Sequence, residues 1–156
     1  MHSKEEMDEI SKIIDLLKKS GYSAKAIEYY IKKVNVGEME EPSAHFVYTS
    51  PCGDTMEIYL RIEKDKHTGS EAIREAKFQA IGCAGAFTSG SALTEMIKGK
   101  TLKQAAQIDV ESIINHLGGI PAPKVHCTCL AKTTLENAIK QYKKMRKGPF
   151  LGFVKE

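Results

Sequence analysis

The segment "TMEIYLRIE" (55–63) constrains the fold most, because Met56, Ile58, Leu60 and Ile62 alternate with Glu57, Tyr59, Arg61 and Glu63. A period of two places the apolar set on one face of a strand, so this segment calls for a sheet covered on one side. "AHFVYT" (44–49) and "AIREAKFQAI" (72–81) read as its neighbours, joined through "SPCGD" and "KDKHTGS". Together they predict an antiparallel meander of three strands.

On both sides of the meander the apolar period is helical. An amino-terminal arm carries a capping box from Ser3 to Glu6, then Met7, Ile10, Ile13, Ile14 and Leu17 at helical spacing. That stripe needs a cover, either the body of the chain or a partner such as a second copy in a homodimer. A second helix is predicted from Ser23, with Ile27, Tyr30, Ile31 and Val34 inward, until Asn35 and Gly37 stop it. Beyond the strands, helical pattern resumes at Ser89 ("SGSALTEMIKG"). It continues through "TLKQAAQI", boxed by Thr101 and Gln104, and through "DVESIINHLGG", capped by Asp109 and ended by Gly118. A last helix is expected from about Thr128, with Ala131, Leu135, Ala138, Ile139 and Tyr142 inward. The predicted class is α+β: a small antiparallel three-stranded sheet with helices packed on one face, plus an extra amino-terminal helix. The expected division is an arm at 1–21, one domain at 22–147 and a tail at 148–156.

Charge narrows the function classes. The formal net charge of +3 comes from 23 basic and 20 acidic residues, mostly interspersed, which gives no nucleic-acid footprint. Only "KQYKKMRK" (140–147) is locally basic, and it reads as the solvated end of a helix whose cations complement the dipole. No apolar run is long enough to span a membrane, and the acidic start "MHSKEEMDEI" suits neither a secretory nor a mitochondrial signal. The expected location is cytoplasmic. Four cysteines in that setting are reduced thiols, for which metal or catalytic roles outrank disulfides.

Three of those cysteines fall at the ends of elements: Cys52 in a turn, Cys83 after the third strand, and Cys127 before the last helix. Gly53 permits a sharp turn that aims Cys52 and Asp54 the same way, while Gly82 and Gly85 allow close approach of backbone. Helix starts after Cys83 and Cys127 favour thiolates. The candidate ligands are Cys52, Asp54, Cys83, His126 and Cys127, a soft set that points to zinc or to iron with sulfide rather than to magnesium or calcium. A carboxylate in place of a fourth thiolate is a harder, weaker donor to iron, which suits cargo that is to be released. A closed structural zinc site in an interaction module is the alternative from another class. Cys129 lies about 200° around a helix from Cys127 and reads as a buried small apolar residue. His2, His45, His67 and His116 have no metal spacing and are assigned no chemistry; His116 ends a helix, where a cation complements the dipole.

The motifs "NVGEME", "PCGDTMEIYLRIE", "AKFQAIGCAGAFTSGSALTEMIKGKTL" and "GGIPAPKVHCTCLAKTTLENAIKQY" together resemble the IscU and NifU amino-terminal family of scaffolds for iron-sulfur cluster assembly, over residues 22 to 143. The resemblance implies a 2Fe-2S cluster built from iron and from persulfide sulfur delivered by a cysteine desulfurase of the IscS or NifS kind. The cluster is then passed to acceptor apoproteins, so the chain is a carrier and not a turnover enzyme. It further implies Cys127 as persulfide acceptor and Lys124 in the supporting loop. Asp54 is the expected fourth ligand, with His126 as exchange ligand or as zinc ligand in the cluster-free form. "IPAPK" (120–124) stands where the family carries the Leu-Pro-Pro-Val-Lys recognised by an Hsp70-type chaperone, which removes the basis for expecting that partner. The usual Pro-Arg before Asn-Val-Gly is missing, the amino-terminal arm is additional, and Cys129 has no counterpart among the usual ligands. The runner-up is a zinc-dependent sulfurtransferase of the SufU type. The compact stretch from Cys83 to Cys127 and the presence of His126 argue against it.

Overall fold

The structure is a computed structural model that describes residues 3–146; His2, Lys147 and the expected tail at 148–156 lie outside the described residues. The element order is α1 (Lys4–Lys19), α2 (Ala24–Lys32), β1 (Ala44–Thr49), β2 (Thr55–Lys64), β3 (Glu71–Ile81), α3 (Ala84–Ile97), α4 (Leu102–Ala106), α5 (Val110–Leu117), a 3-10 turn (Ala122–Lys124) and α6 (Val125–Arg146). The strands form one antiparallel sheet in the order β1-β2-β3. Ala44 faces Leu60 across the first ladder, and Phe78 faces Ile58 across the second. A register shift at Arg61/Ile62 inserts an extra residue near Arg74 on β3, a bulge that adds local twist.

Met56, Ile58, Leu60, Ile62, Ile73, Ala76 and Phe78 supply the buried face of the sheet. Helices α3 and α6 pack on that face, and α2 and α5 lie against α3. Among the described residues no helix covers the opposite face, but it is not bare. Tyr59, expected outward, is buried at 7% exposure, stacked on His45 with its hydroxyl toward Gln79. An aromatic on the open face thus covers itself with its cross-strand neighbours.

Helix α3 starts five residues earlier than the sequence pattern indicates. Gly85, Ala86, Thr88, Ser89, Gly90, Ser91, Ala92, Leu93, Thr94 and Ile97 are all buried, so the helix is covered nearly all round and has no polar face to mark its period. Its small residues let it approach the sheet closely. A Cβ added at Gly90 would meet the Phe78 ring at 2.4 Å.

The caps follow expectation. Ser3, Ser23, Thr101 and Asp109 accept from backbone N–H groups at their helix starts, and Thr101 with Gln104 closes a full capping box. Helix α2 ends at Lys33 in the left-handed region, just before Asn35. The Asn35 amide donates to Thr94 and Glu95, and the Asn35 carbonyl accepts from Phe78. This ties the end of α2 to both α3 and β3.

The arm is covered only in part. Leu17 is buried and Ile14 packs on the core, while Met7 and Leu16 are 59% and 64% exposed. His116 departs from its reading as a helix-end cation. Burial, helped by the nearby Lys25 ammonium, holds its pKa below the usual 6.5, and its Nε2 pairs with the Tyr29 hydroxyl at 2.8 Å. Among the described residues no helix is long and apolar enough to cross a membrane.

Candidate metal centre

Three chain segments meet at the end of the sheet where β1 turns into β2 and where β3 runs into α3. The β1–β2 turn is closed by Ser50 N–H to the Asp54 carbonyl at 2.8 Å and by Gly53 N–H to the Ser50 carbonyl at 2.9 Å. Gly53 sits at φ +95, a left-handed conformation that glycine adopts without strain. The turn sends Cys52 into solvent and Asp54 toward the neighbouring loop. Cys83 is the N-cap residue of α3, and its carbonyl accepts from the Ala86 N–H.

The last helix starts at Val125, three residues before its expected start, because the 3-10 turn from Ala122 to Lys124 runs straight into it. His126 and Cys127 therefore sit in regular helix, where adjacent side chains point about 100° apart. The exposed imidazole nevertheless brings Nε2 to 3.5 Å from Cys127 Sγ.

The five sequence-chosen ligands form two overlapping groups, each with its donor atoms within 4.8 Å of one another: Cys52, Asp54 and His126 outside, Asp54, Cys83 and Cys127 inside. Asp54 belongs to both. Cys83 Sγ lies 3.4 Å from Cys127 Sγ, and Asp54 Oδ2 lies 4.0 Å from both Cys127 Sγ and His126 Nε2. All four cysteines are free thiols.

The two glycines read from sequence as allowing close backbone approach serve the ligands themselves. A Cβ at Gly82 would stand 3.0 Å from the Asp54 carboxyl carbon, and one at Gly85 would stand 3.0 Å from Cys127 Sγ and 3.2 Å from Lys124 Cβ.

Electrostatics separate the two inner thiols. Burial raises the Cys83 value, but the hydrogen bond with Cys127, the Ala86 and Gly85 N–H groups and the Lys124 ammonium outweigh it, leaving Cys83 below the ordinary thiol range. Burial pushes the Cys127 thiol up to about 12, with the Cys83 and Asp54 charges adding to the rise and Lys124 opposing it. The first thiolate forms at Cys83, and a second negative charge beside it is costly unless a cation arrives.

Sequence reasoning missed three neighbours. Tyr22 is 7% exposed, and burial together with the two inner thiols pushes its hydroxyl to about 12; it precedes the Ser23 cap and carries no motif. Ser50 Oγ lies 3.0 Å from Cys52 Sγ. Cys129, expected to be buried, is exposed, and it lines a cavity with Cys52 and His126. The 200° offset from Cys127 holds, but the buried side of α6 belongs to Cys127. His126, Cys129 and Thr133, with the buried Leu130 at the edge, line one cavity at spacings of three, four and seven, a signal that was present in the sequence.

Fold and site define a class: an α+β domain that gathers a thiolate-rich, mixed-donor set suited to a soft metal at one end of its sheet. The chain belongs to the NifU-like N-terminal domain family, whose model matches residues 21–148. It is 36% identical over 136 residues to iron-sulfur cluster assembly scaffold protein IscU 1 of Archaeoglobus fulgidus, covering 86% of this chain and 84% of that one. It is 34% identical over 122 residues to the scaffold protein IscU of Aquifex aeolicus, covering 78% and 75%. A crystal structure from Fervidobacterium islandicum AW-1, described as a candidate iron-sulfur cluster assembly scaffold for the SUF system, superposes with a TM-score of 0.59 at 26% identity, covering 76% of this chain and 96% of that one.

Proposed function

We propose that this chain is a scaffold on which a 2Fe-2S cluster is assembled from iron and desulfurase-derived sulfur, held loosely, and passed to acceptor apoproteins. The observation that carries the reading is the meeting of Cys52, Asp54, Cys83, His126 and Cys127 from three separate segments at one end of the sheet. Cys52, Cys83 and Cys127 act as thiolate ligands and Asp54 as the weak fourth donor, with His126 within reach to exchange for it. Iron arriving at Cys83 and Cys127 relieves the charge that keeps the second thiol protonated, and Lys124 offsets what remains. Cluster and iron are cargo here, so the chain works as a carrier and not by catalytic turnover, in a reducing cytoplasmic setting. Its partners are a cysteine desulfurase on the supply side and apoproteins on the delivery side.

The same donors suit zinc, which accepts thiolate with imidazole or carboxylate in tetrahedral sets, and zinc occupies them when no cluster is bound. The likeness to a SUF-system structure favours a second reading, a zinc-loaded acceptor of persulfide sulfur. The exposed His126 beside Asp54 weighs for the scaffold, since it offers a donor for exchange.

The test is anaerobic reconstitution with ferrous iron, cysteine and a desulfurase. The expected product has visible absorption of a 2Fe-2S centre, with iron and sulfide in equal amounts, and loses it to an acceptor apoprotein. A colourless protein that activates the desulfurase only when zinc-loaded sinks the scaffold reading in favour of the second.

A further inference from the structure

We propose that Cys52, His126 and Cys129 form a second, outer metal site, which holds a soft divalent ion of the ferrous or zinc kind beside the one held by Asp54, Cys83 and Cys127. Its use rests on the scaffold reading, since a two-iron cluster needs two ions loaded; its geometry does not.

Asp54 is the reason the outer group is incomplete without Cys129. The carboxylate belongs to both donor groups, with Oδ2 at 4.0 Å from Cys127 Sγ and from His126 Nε2 alike. The inner pair is the better claimant. Cys83 and Cys127 already hold their sulfurs 3.4 Å apart, close to the separation of about 3.7 Å for two thiolates on one tetrahedral ion with bonds of about 2.3 Å. An inner ion that takes the carboxylate leaves Cys52 and His126 as two donors, too few to hold a second.

Cys129 supplies the missing donor. It is exposed, as are Cys52 and His126, and the three line one cavity of about 380 Å³ together with Ser50 and Tyr48. His126 and Cys129 are three apart on α6, a spacing that puts their Cβ atoms about 5–6 Å from each other on one side of a helix. Side-chain rotation alone can therefore close the imidazole and the thiolate on one ion. Cys52 comes from the β1–β2 turn, with Ser50 Oγ 3.0 Å from its sulfur, a contact that supports the thiolate. Three protein donors leave the fourth tetrahedral place open to water or to an incoming ligand.

The charges suit two ions. Metal-bound thiols give up their protons, so Cys52, Cys83, Cys127 and Cys129 with Asp54 set five negative charges against the four of two divalent ions. The Lys124 ammonium, which acts on both inner thiols, offsets the remainder.

The probe is cobalt(II), added under anaerobic conditions to the reduced, metal-free chain and followed by equilibrium dialysis and by thiolate-to-cobalt absorption. Two ions per chain are expected. Cys129→Ser should bind the second at least about tenfold more weakly and lose about half of its thiolate-to-cobalt absorption, one of its two sulfur donors being gone, with the first ion unchanged. Alkylation of the wild type with iodoacetamide checks the same point without a substitution. Fragmenting the tryptic peptide Val125–Lys132, which carries both Cys127 and Cys129, should show Cys129 protected once two equivalents are bound. A stoichiometry of one, an unchanged second ion in Cys129→Ser, or a Cys129 that alkylates at the metal-free rate under excess cobalt overturns the proposal. A protein that stays colourless on reconstitution with iron and sulfide overturns the scaffold reading instead, while the cobalt titration still decides whether the outer site exists.

Discussion

Two cysteines two positions apart on α6 have opposite fates, Cys127 without exposed surface and Cys129 open to solvent. Side-chain identity cannot decide between them; the direction in which the sheet lies does. On the proposed scaffold reading, Asp54 is the residue whose chemistry would set release. Its carboxylate is a harder donor than the thiolates around it, so Asp54→Ala should make a bound cluster more persistent, read as slower loss of visible absorption on adding an acceptor or a chelator. Loss faster than in the wild type would contradict a weak-donor role. His116 supplies a pH prediction away from the ligands. Burial first, and Lys25 second, lower its pKa from 6.5, so below that value the unfolded chain binds more protons than the folded one. Stability is therefore retained above about pH 6.5 and lost as pH falls toward the folded value. Denaturant midpoints between about pH 7 and pH 5 should fall less steeply in His116→Gln than in the wild type.

Among the elements, α3 is the one whose composition is dictated by its neighbours. It touches the sheet, α2, α5 and α6, and it carries hydroxyls and glycines where a lone amphipathic helix would carry leucines. The hydroxyls are satisfied inside: Thr94 bonds to the Gly90 carbonyl at 2.7 Å, and Ser89 pairs with Thr128 of α6 at 3.0 Å. Helix propensity favours alanine over glycine, yet Gly90→Ala should destabilise, because its methyl would stand 2.4 Å from the buried Phe78 ring. The expected cost is about 1–3 kcal/mol by chemical denaturation. A gain in stability would mean that α3 is free to move off the sheet. Since α3 also carries Cys83 at its start, the same contact fixes one ligand relative to the sheet end.

For the whole molecule, the site is a junction and not a local motif. Residues 52 and 54, 83, and 126 and 127 are brought together only when the meander, α3 and α6 are all in place. A metal that needs this junction binds the folded state in preference to the unfolded chain, so zinc added to the reduced protein should raise the thermal midpoint and a chelator should reverse the rise. At a thousandfold excess of free metal over its dissociation constant the gain is about 4 kcal/mol. No shift in midpoint would count against any soft-metal role for the junction. The arm α1 stands apart from this junction. It packs by Ile14 and Leu17 and leaves Met7 and Leu16 exposed, so only the inner half of its apolar stripe is covered within the chain.

The meander, the capped starts of α1, α2, α4 and α5, and the five ligand candidates were legible in the sequence, because each depends on alternation, short-range hydrogen bonding or donor chemistry at neighbouring positions. The starts of α3 and α6, the burial of Tyr59, the neutral setting of His116 and the exposure of Cys129 were not, because each depends on what lies against a side chain from a distant part of the chain. A period shows that a helix has two faces. Which of them meets the sheet, and therefore which sulfur is sheltered and which is open to solvent, is decided only when close packing of α6 against the strands leaves one arrangement without voids.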